Sequence, residues 1–178
     1  DEVELYELLR ELYDKYNTDQ FRASTERVAL LLNVREAFRK AKIVADKQRL
    51  SRALSCLIEN ALTQTKKGVV EFGASFADKN TLVFTVKDSS SMLLQERARK
   101  VFETTEREED WFDTSDTIGL GYKLARGLIE AMSGNILVKD SSFKGTTIEC
   151  SIPIQTVTPK YYQTGEANRV KVERTHEK

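Results

Sequence analysis

A two-layer α+β sandwich, with a mixed and mostly antiparallel sheet and about three helices on one face, is the fold class that the sequence predicts. Three observations predict it. Apolar residues recur at helical spacing in three separate stretches. Short apolar or alternating runs stand between them, two pairs of which read as hairpins. The order is helix, strands, helix, hairpin, loop, helix, hairpin, which a sheet covered by helices on one side satisfies. A chain of 178 residues fits one domain, large enough to bury roughly 70% of the surface its unfolded form exposes.

The elements follow in order. Leu5, Leu8, Leu9, Leu12, Tyr13 and Tyr16 make one apolar stripe, so a helix is expected over residues 2–17. The run Val28-Ala29-Leu30-Leu31-Leu32 predicts a buried strand from Arg27 to Val34, and Ile43 to Ala45 a short one. Asp46 can cap the next helix by accepting from its first free N–H groups. That helix has the clearest period, with Leu50, Ala53, Leu54, Leu57, Ile58, Ala61 and Leu62 on one side. Strands over 69–77 and 81–88 are joined by Asp78-Lys79-Asn80, a hairpin turn. Residues 93–103 suit a short helix. Residues 104–118 are charged and aperiodic, with one Trp, and read as a mobile loop.

A helix is expected from near Gly119, with Leu120, Leu124, Ala125, Leu128, Ile129 and Met132 on its core side and Gly134 as a left-handed terminator. Ile136–Asp140 and Thr146–Pro153 make the last hairpin, with Ile148, Cys150 and Ile152 alternating against polar neighbours. From Gln155 the chain is polar and aperiodic, a tail or linker.

Composition narrows the function. Lys plus Arg number 28 and Asp plus Glu number 28; a general nucleic-acid binder needs net positive charge to displace counterions. Apolar residues at 40% and charged residues at 31% suit a soluble globular domain. No apolar run approaches the ~18 residues of a membrane helix, and no secretory signal opens the chain, so direct membrane contact is not expected and a cytoplasmic setting is. Cys56 and Cys150 lie far apart in apolar patterns and read as reduced thiols. The first residue is Asp, which suggests a piece of a longer chain whose membrane span or sensor lies elsewhere.

Four places could carry chemistry. Asn60 lies about 100° from the centre of its helix's apolar stripe, on a flank shared with Cys56, Thr63 and Gln64, while Glu59 points to solvent. Asn60 there is either a ligand-facing amide or an ordinary helix-border residue. Asp88 ends the strand Val83-Phe84-Thr85-Val86-Lys87; its carboxylate could accept from an amino group, or simply start a turn. Gly119-Leu120-Gly121 enters a helix, where free N–H groups favour a phosphate, although glycine also enters helices for packing. Lys144-Gly145-Thr146-Thr147 could equally be a plain hairpin turn.

Taken together these stretches resemble the ATP-binding fold shared by histidine kinases, gyrase, Hsp90 and MutL (the GHKL or Bergerat fold), and most closely the catalytic domain of two-component sensor histidine kinases. The matching segments are Asp46–Leu50, Leu57–Leu62, Val86–Asp88, Gly119–Gly134 and Lys144–Pro153. The resemblance implies an ATP-binding kinase catalytic domain over residues 1–153 and a polar tail or linker over 154–178. It implies ATP and Mg²⁺ as cofactors, with Asn60 holding the metal. Asp88 would bind the adenine amino group with help from Thr146. Gly119, Leu120 and Gly121 would shape the phosphate side beneath a lid at 104–118. The γ-phosphoryl group would pass to a histidine on a dimerisation domain outside this chain, and then to a response regulator; no catalytic residue lies in the fragment.

The sequence departs from that family at several positions. The first glycine box reads Asp88-Ser89-Ser90-Ser91-Met92, without its glycines. A side chain forced into a glycine conformation costs about 1–3 kcal/mol, enough to weaken nucleotide binding about tenfold. Thr63 and Gln64 replace a basic and an aromatic residue, and Thr117 replaces the leading glycine of the second box. Lys66 or Lys67 could stand in for the missing cation. Cys56 stands where the ATPase branches carry a water-activating Glu, which favours the kinase branch. His176, the only histidine, sits in the polar tail and suits no acceptor role. These departures keep two alternatives open: a non-catalytic binding or scaffold module on the same fold, and a serine kinase of the anti-sigma-factor type.

Overall fold

The computed structural model describes residues 1–18, 27–89, 92–103, 117–142, 145–156 and 169–172. Helix α1 (Leu5–Tyr16) buries every member of its expected stripe. Before it lies a strand the sequence did not announce, β1 (Glu2–Glu4). Strand β2 (Val28–Arg35) alternates, burying Val28, Leu30, Leu32 and Val34. A 3₁₀ turn (Glu36–Lys40) and the short β3 (Lys42–Val44) follow. Asp46 then caps α2 (Lys47–Gln64), accepting from the Arg49 N–H at 3.0 Å. All seven residues of the α2 stripe are buried.

Strands β4 (Gly68–Asp78) and β5 (Thr81–Asp88) form the expected hairpin. Its turn is held by the Asn80 N–H donating to Asp78 Oδ1 at 2.7 Å. Helices α3 (Met92–Glu103) and α4 (Thr117–Ala131) precede the hairpin of β6 (Asn135–Ser142) and β7 (Gly145–Pro153). Two short strands come last, β8 (Gln155–Thr156) and β9 (Arg169–Val172).

The main sheet runs β6-β7-β5-β4-β2-β9, and a small one runs β1-β3-β8. Among the described residues only β2 and β4 pair in parallel; the crossover between them carries β3 and α2. The remaining pairs are antiparallel. The core lies between the sheet's inner face and the helices, as the expected two-layer α+β sandwich requires. α1 packs on β2 and α2, α2 on β4, β5 and α4, and α4 on β6 and β7. Among the described residues no helix is long and apolar enough to cross a membrane.

Three local expectations change. The polar stretch after Pro153 contains β8, which pairs with β3, and β9, which pairs with β2. Backbone pairing needs no apolar periodicity, so composition hid both. On α4 the buried apolar side chains described are Tyr122, Ala125 and Ile129, whereas Leu120 is 57% and Leu124 39% exposed. The helix begins at Thr117, two residues earlier than expected. At 100° per residue, Leu120 and Leu124 fall roughly opposite the Tyr122–Ala125–Ile129 arc. Finally, Ser133, not Gly134, takes the left-handed conformation after α4, with φ of 59°. The Gly134 N–H donates to Ile129 O and the Ser133 N–H to Glu130 O, each at 2.9 Å, which closes the helix end. Gly134 is required for closeness instead: a methyl there would stand 2.6 Å from Ser151 O.

A serine in that conformation is strained, and glycine is not. Ser133→Gly is therefore expected to raise the unfolding free energy by about 1 kcal/mol. Chemical denaturation would show it as a higher midpoint at unchanged slope.

Candidate functional site

Asn60 lies in the last third of α2 and is 8% exposed, with Cys56 one turn earlier. The backbone of α4 comes down on its amide at Gly121. A methyl group on Gly121 would stand 2.9 Å from Asn60 Nδ2 and 3.0 Å from Oδ1. A methyl there would have to displace that amide, so Gly121 has a packing cause as well as any ligand cause. Gly119 is buried beside it, and Leu120 points outward.

The second half of the site lies on the sheet. Asp88 and Thr146 are direct partners across β5 and β7, both on the helix-facing side and 7% and 4% exposed. Thr146 Oγ1 is buried with no hydrogen-bond partner among the described residues. An orphaned hydroxyl of that kind costs about 1–3 kcal/mol. Gly145 permits the pairing: its φ is 137°, and a methyl there would overlap the Asp88 carbonyl oxygen at 1.9 Å. Ser89 fixes the strand's end, accepting from the Val69 N–H and donating to the Val69 carbonyl, both at 3.3 Å.

Tyr122 joins the halves. It follows Gly121 on α4, is 2% exposed, and meets the Phe102 ring edge-on at 5.4 Å. Burial pushes its phenol well above the ordinary tyrosine range, and the negative charge of Asp88 pushes further in the same direction. The sequence reading passed over this residue, although an aromatic directly after the second glycine was its signal.

Glu59 is not the purely solvated residue expected. The Tyr16 hydroxyl donates to its Oε1 at 2.5 Å, and Lys15 Nζ lies 3.9 Å away, tying α1 to α2. The Thr63 hydroxyl turns back on its own helix, donating to the carbonyls of Glu59 at 2.8 Å and Asn60 at 3.3 Å. Burial raises the Cys56 thiol above its usual range, so it is protonated at neutral pH and serves as no base there. The expected loop lies outside the described residues, apart from its last two positions, which open α4. Ser90, Ser91, Lys144 and His176 also lie outside them, and at Met92 only the backbone is described, as the start of α3.

Residues 45–156 match the family described as histidine kinase-, DNA gyrase B-, and HSP90-like ATPase. The sensor protein CiaH of Streptococcus pneumoniae is 33% identical over 124 residues, covering 66% of this chain and 27% of CiaH. The signal transduction histidine-protein kinase BaeS of Escherichia coli K12 is 30% identical over 115 residues, covering 64% of this chain and 24% of BaeS. The chain thus spans about a quarter of either relative. Full-length ShkA, solved in complex with AMPPNP, superposes with a TM-score of 0.70 at 25% identity, over 89% of this chain and 32% of ShkA. The catalytic domain of histidine kinase ThkA gives 0.67 at 22% identity, over 86% and 94%.

Two outcomes are expected. Gly121→Ala should displace the Asn60 amide, moving its side-chain NH₂ resonances in a ¹⁵N spectrum. Gly127→Ala on the same helix meets nothing within 4 Å and should instead stabilise by about 0.5–1 kcal/mol. Separately, Tyr16, Tyr122 and Cys150 are all raised by burial. Their folded forms hold protons that the unfolded chain releases, so this contribution is complete below the unfolded pKa values and is lost as pH rises through them. Denaturation midpoints should hold steady through neutrality and fall above about pH 9.

Proposed function

The chain belongs to the histidine kinase-, DNA gyrase B-, and HSP90-like ATPase family, and we propose that it is the ATP-binding catalytic domain of a two-component sensor histidine kinase. In this reading residues 1–153 form the catalytic unit, and 154–178, expected as a tail or linker, lends β8 and β9 to its sheets. The setting is cytoplasmic. The partners are a histidine-bearing dimerisation domain and a response regulator on other segments or chains.

The observation that carries the reading is the buried, unpartnered Thr146 hydroxyl opposite the Asp88 carboxylate. An acceptor and a hydroxyl side by side in an apolar wall suit an adenine edge, whose amino group donates and whose ring nitrogen accepts. Asp88 would accept from the amino group, and Thr146 would complete the contact. Tyr122, buried and itself protonated, adds an apolar wall beside them. Asn60 would offer its amide oxygen to Mg²⁺, which typically retains waters and leans on phosphate oxygens, so one protein ligand suffices. Gly119, Leu120 and Gly121 would bring backbone N–H groups of the first turns of α4 to the phosphates. When bound, the ion neutralises phosphate charge for transfer. The protein's own share is to position the nucleotide and exclude water.

A second reading, a binding module without transfer, draws support from Thr63. Its hydroxyl is committed to backbone carbonyls, and no cation stands at that position of the flank.

Calorimetry with AMPPNP, with and without Mg²⁺, tests the reading. Binding is expected to be magnesium-dependent in the parent chain. Asn60→Ala should weaken it about tenfold or more, the worth of one strong polar contact. Thr146→Val should lose affinity for AMPPNP while the domain stays folded. No heat at millimolar nucleotide would end the proposal. In the full-length protein, acid-labile labelling from γ-labelled ATP is the kinase outcome, and binding without labelling is the module outcome.

A further inference from the structure

On the side of the main sheet away from the helices lies an open cavity of about 360 Å³. Asn33 and Arg35 of β2, Glu71 of β4, Lys87 of β5, Lys139 of β6 and Thr147 of β7 line it. Strand alternation creates it. Val86, Asp88, Thr146 and Ile148 face the helices, so Lys87 and Thr147 face away. In register, Glu71 lies opposite Lys87, and Lys87 opposite Thr147. Gly73 lies between Asn33 and Thr85, and a methyl there would overlap the Asn33 carbonyl oxygen at 1.9 Å.

The charges are layered. Glu71 is only 17% exposed; its Oε1 accepts from Asn33 Nδ2 at 3.1 Å and lies 3.8 Å from Lys87 Nζ. Lys139 Nζ donates to Glu149 Oε2 at 2.6 Å, with Glu149 21% exposed. The two acids lie low, while Lys87 and Lys139 are 52% and 60% exposed. Arg35 makes no ion pair among the described residues. Three cations thus rise above two recessed carboxylates.

We propose that this cavity is a binding site for a small oxyanion, a phosphate or carboxylate group, separate from the nucleotide site on the other face. Arg35 presents the planar fork that matches two oxygens of such a group. Lys87 supplies a second cation, and the Thr147 hydroxyl a neutral donor.

The test is a ¹⁵N titration of the chain at constant ionic strength, once with inorganic pyrophosphate and once with citrate. Saturating shifts are expected at the amides of Asn33, Lys87 and Thr147, both in the parent chain and in Asn60→Ala. Arg35→Gln and Lys87→Gln should each weaken saturation about tenfold while AMPPNP binding stays as in the parent. A response to pyrophosphate alone assigns a phosphate ligand, and to citrate alone a carboxylate. Shifts that centre on Asn60 and Gly121, that survive Arg35→Gln unchanged, or that fail to saturate by about 10 mM would overturn the proposal.

Discussion

The contact between the backbone of α4 at Gly121 and the side-chain amide of Asn60 is the constraint on which the rest of the site depends. Helices with side chains at their contact pack about 8–10 Å apart. A missing Cβ lets a peptide plane lie directly against a polar group, and here a methyl would already be within 3.0 Å of both amide heteroatoms. That approach goes with one rotation of α4. The rotation brings Tyr122, Ala125 and Ile129 inward and leaves Leu120 and Leu124 outside. It also carries Tyr122 to where the charge of Asp88 is felt. The close approach, the aromatic wall and the electrostatic surroundings of the carboxylate thereby belong to one setting of the helix.

Much of this was legible in the sequence because it rested on periodicity. The α1 and α2 stripes and the alternation in β7 are burial patterns, and burial follows apolar spacing. Asp46 was legible as a cap because capping is local chemistry. The failures lie where a local rule left two solutions open. Gly134 looked like the left-handed terminator, but crowding by Ser151 and Ile152 claims the glycine, and Ser133 bears the strained dihedral. On α4 two apolar arcs compete, and the helical period alone cannot choose between them. The residues Leu120 and Tyr122 are separated by two positions, and only the partner helix decides which is buried.

The site was legible in the same divided way. Asn60, Asp88, Gly121 and Thr146 could be named from order and spacing, and the structure brings them to the helix-facing side of the sheet. That the Thr146 hydroxyl lacks a partner among the described residues was not readable, since an orphaned hydroxyl is a property of three-dimensional neighbours. Nor was the bond from Tyr16 to Glu59, which joins residues 43 positions apart. It gives the residue next to Asn60 a partner on α1, and so ties that turn of α2 to a second helix besides α4.

The main sheet writes two surfaces with one set of strands. Asp88 and Thr146 face the helices; Lys87 and Thr147, one residue away on the same strands, face outward. The pairing of β5 with β7 fixes both sets at once, because Lys87 opposes Thr147 in the same register that sets Asp88 against Thr146. A slip of one residue would turn every side chain to the other face, sending Lys87 into the core and the Asp88 carboxylate into water. Gly145 blocks that slip. Its φ of 137° and its approach to the Asp88 carbonyl fit only the observed alignment, since a residue with a Cβ in its place would collide with the strand it must pair with. The glycine of the last hairpin therefore holds the chemistry of both faces in place while touching neither through a side chain of its own.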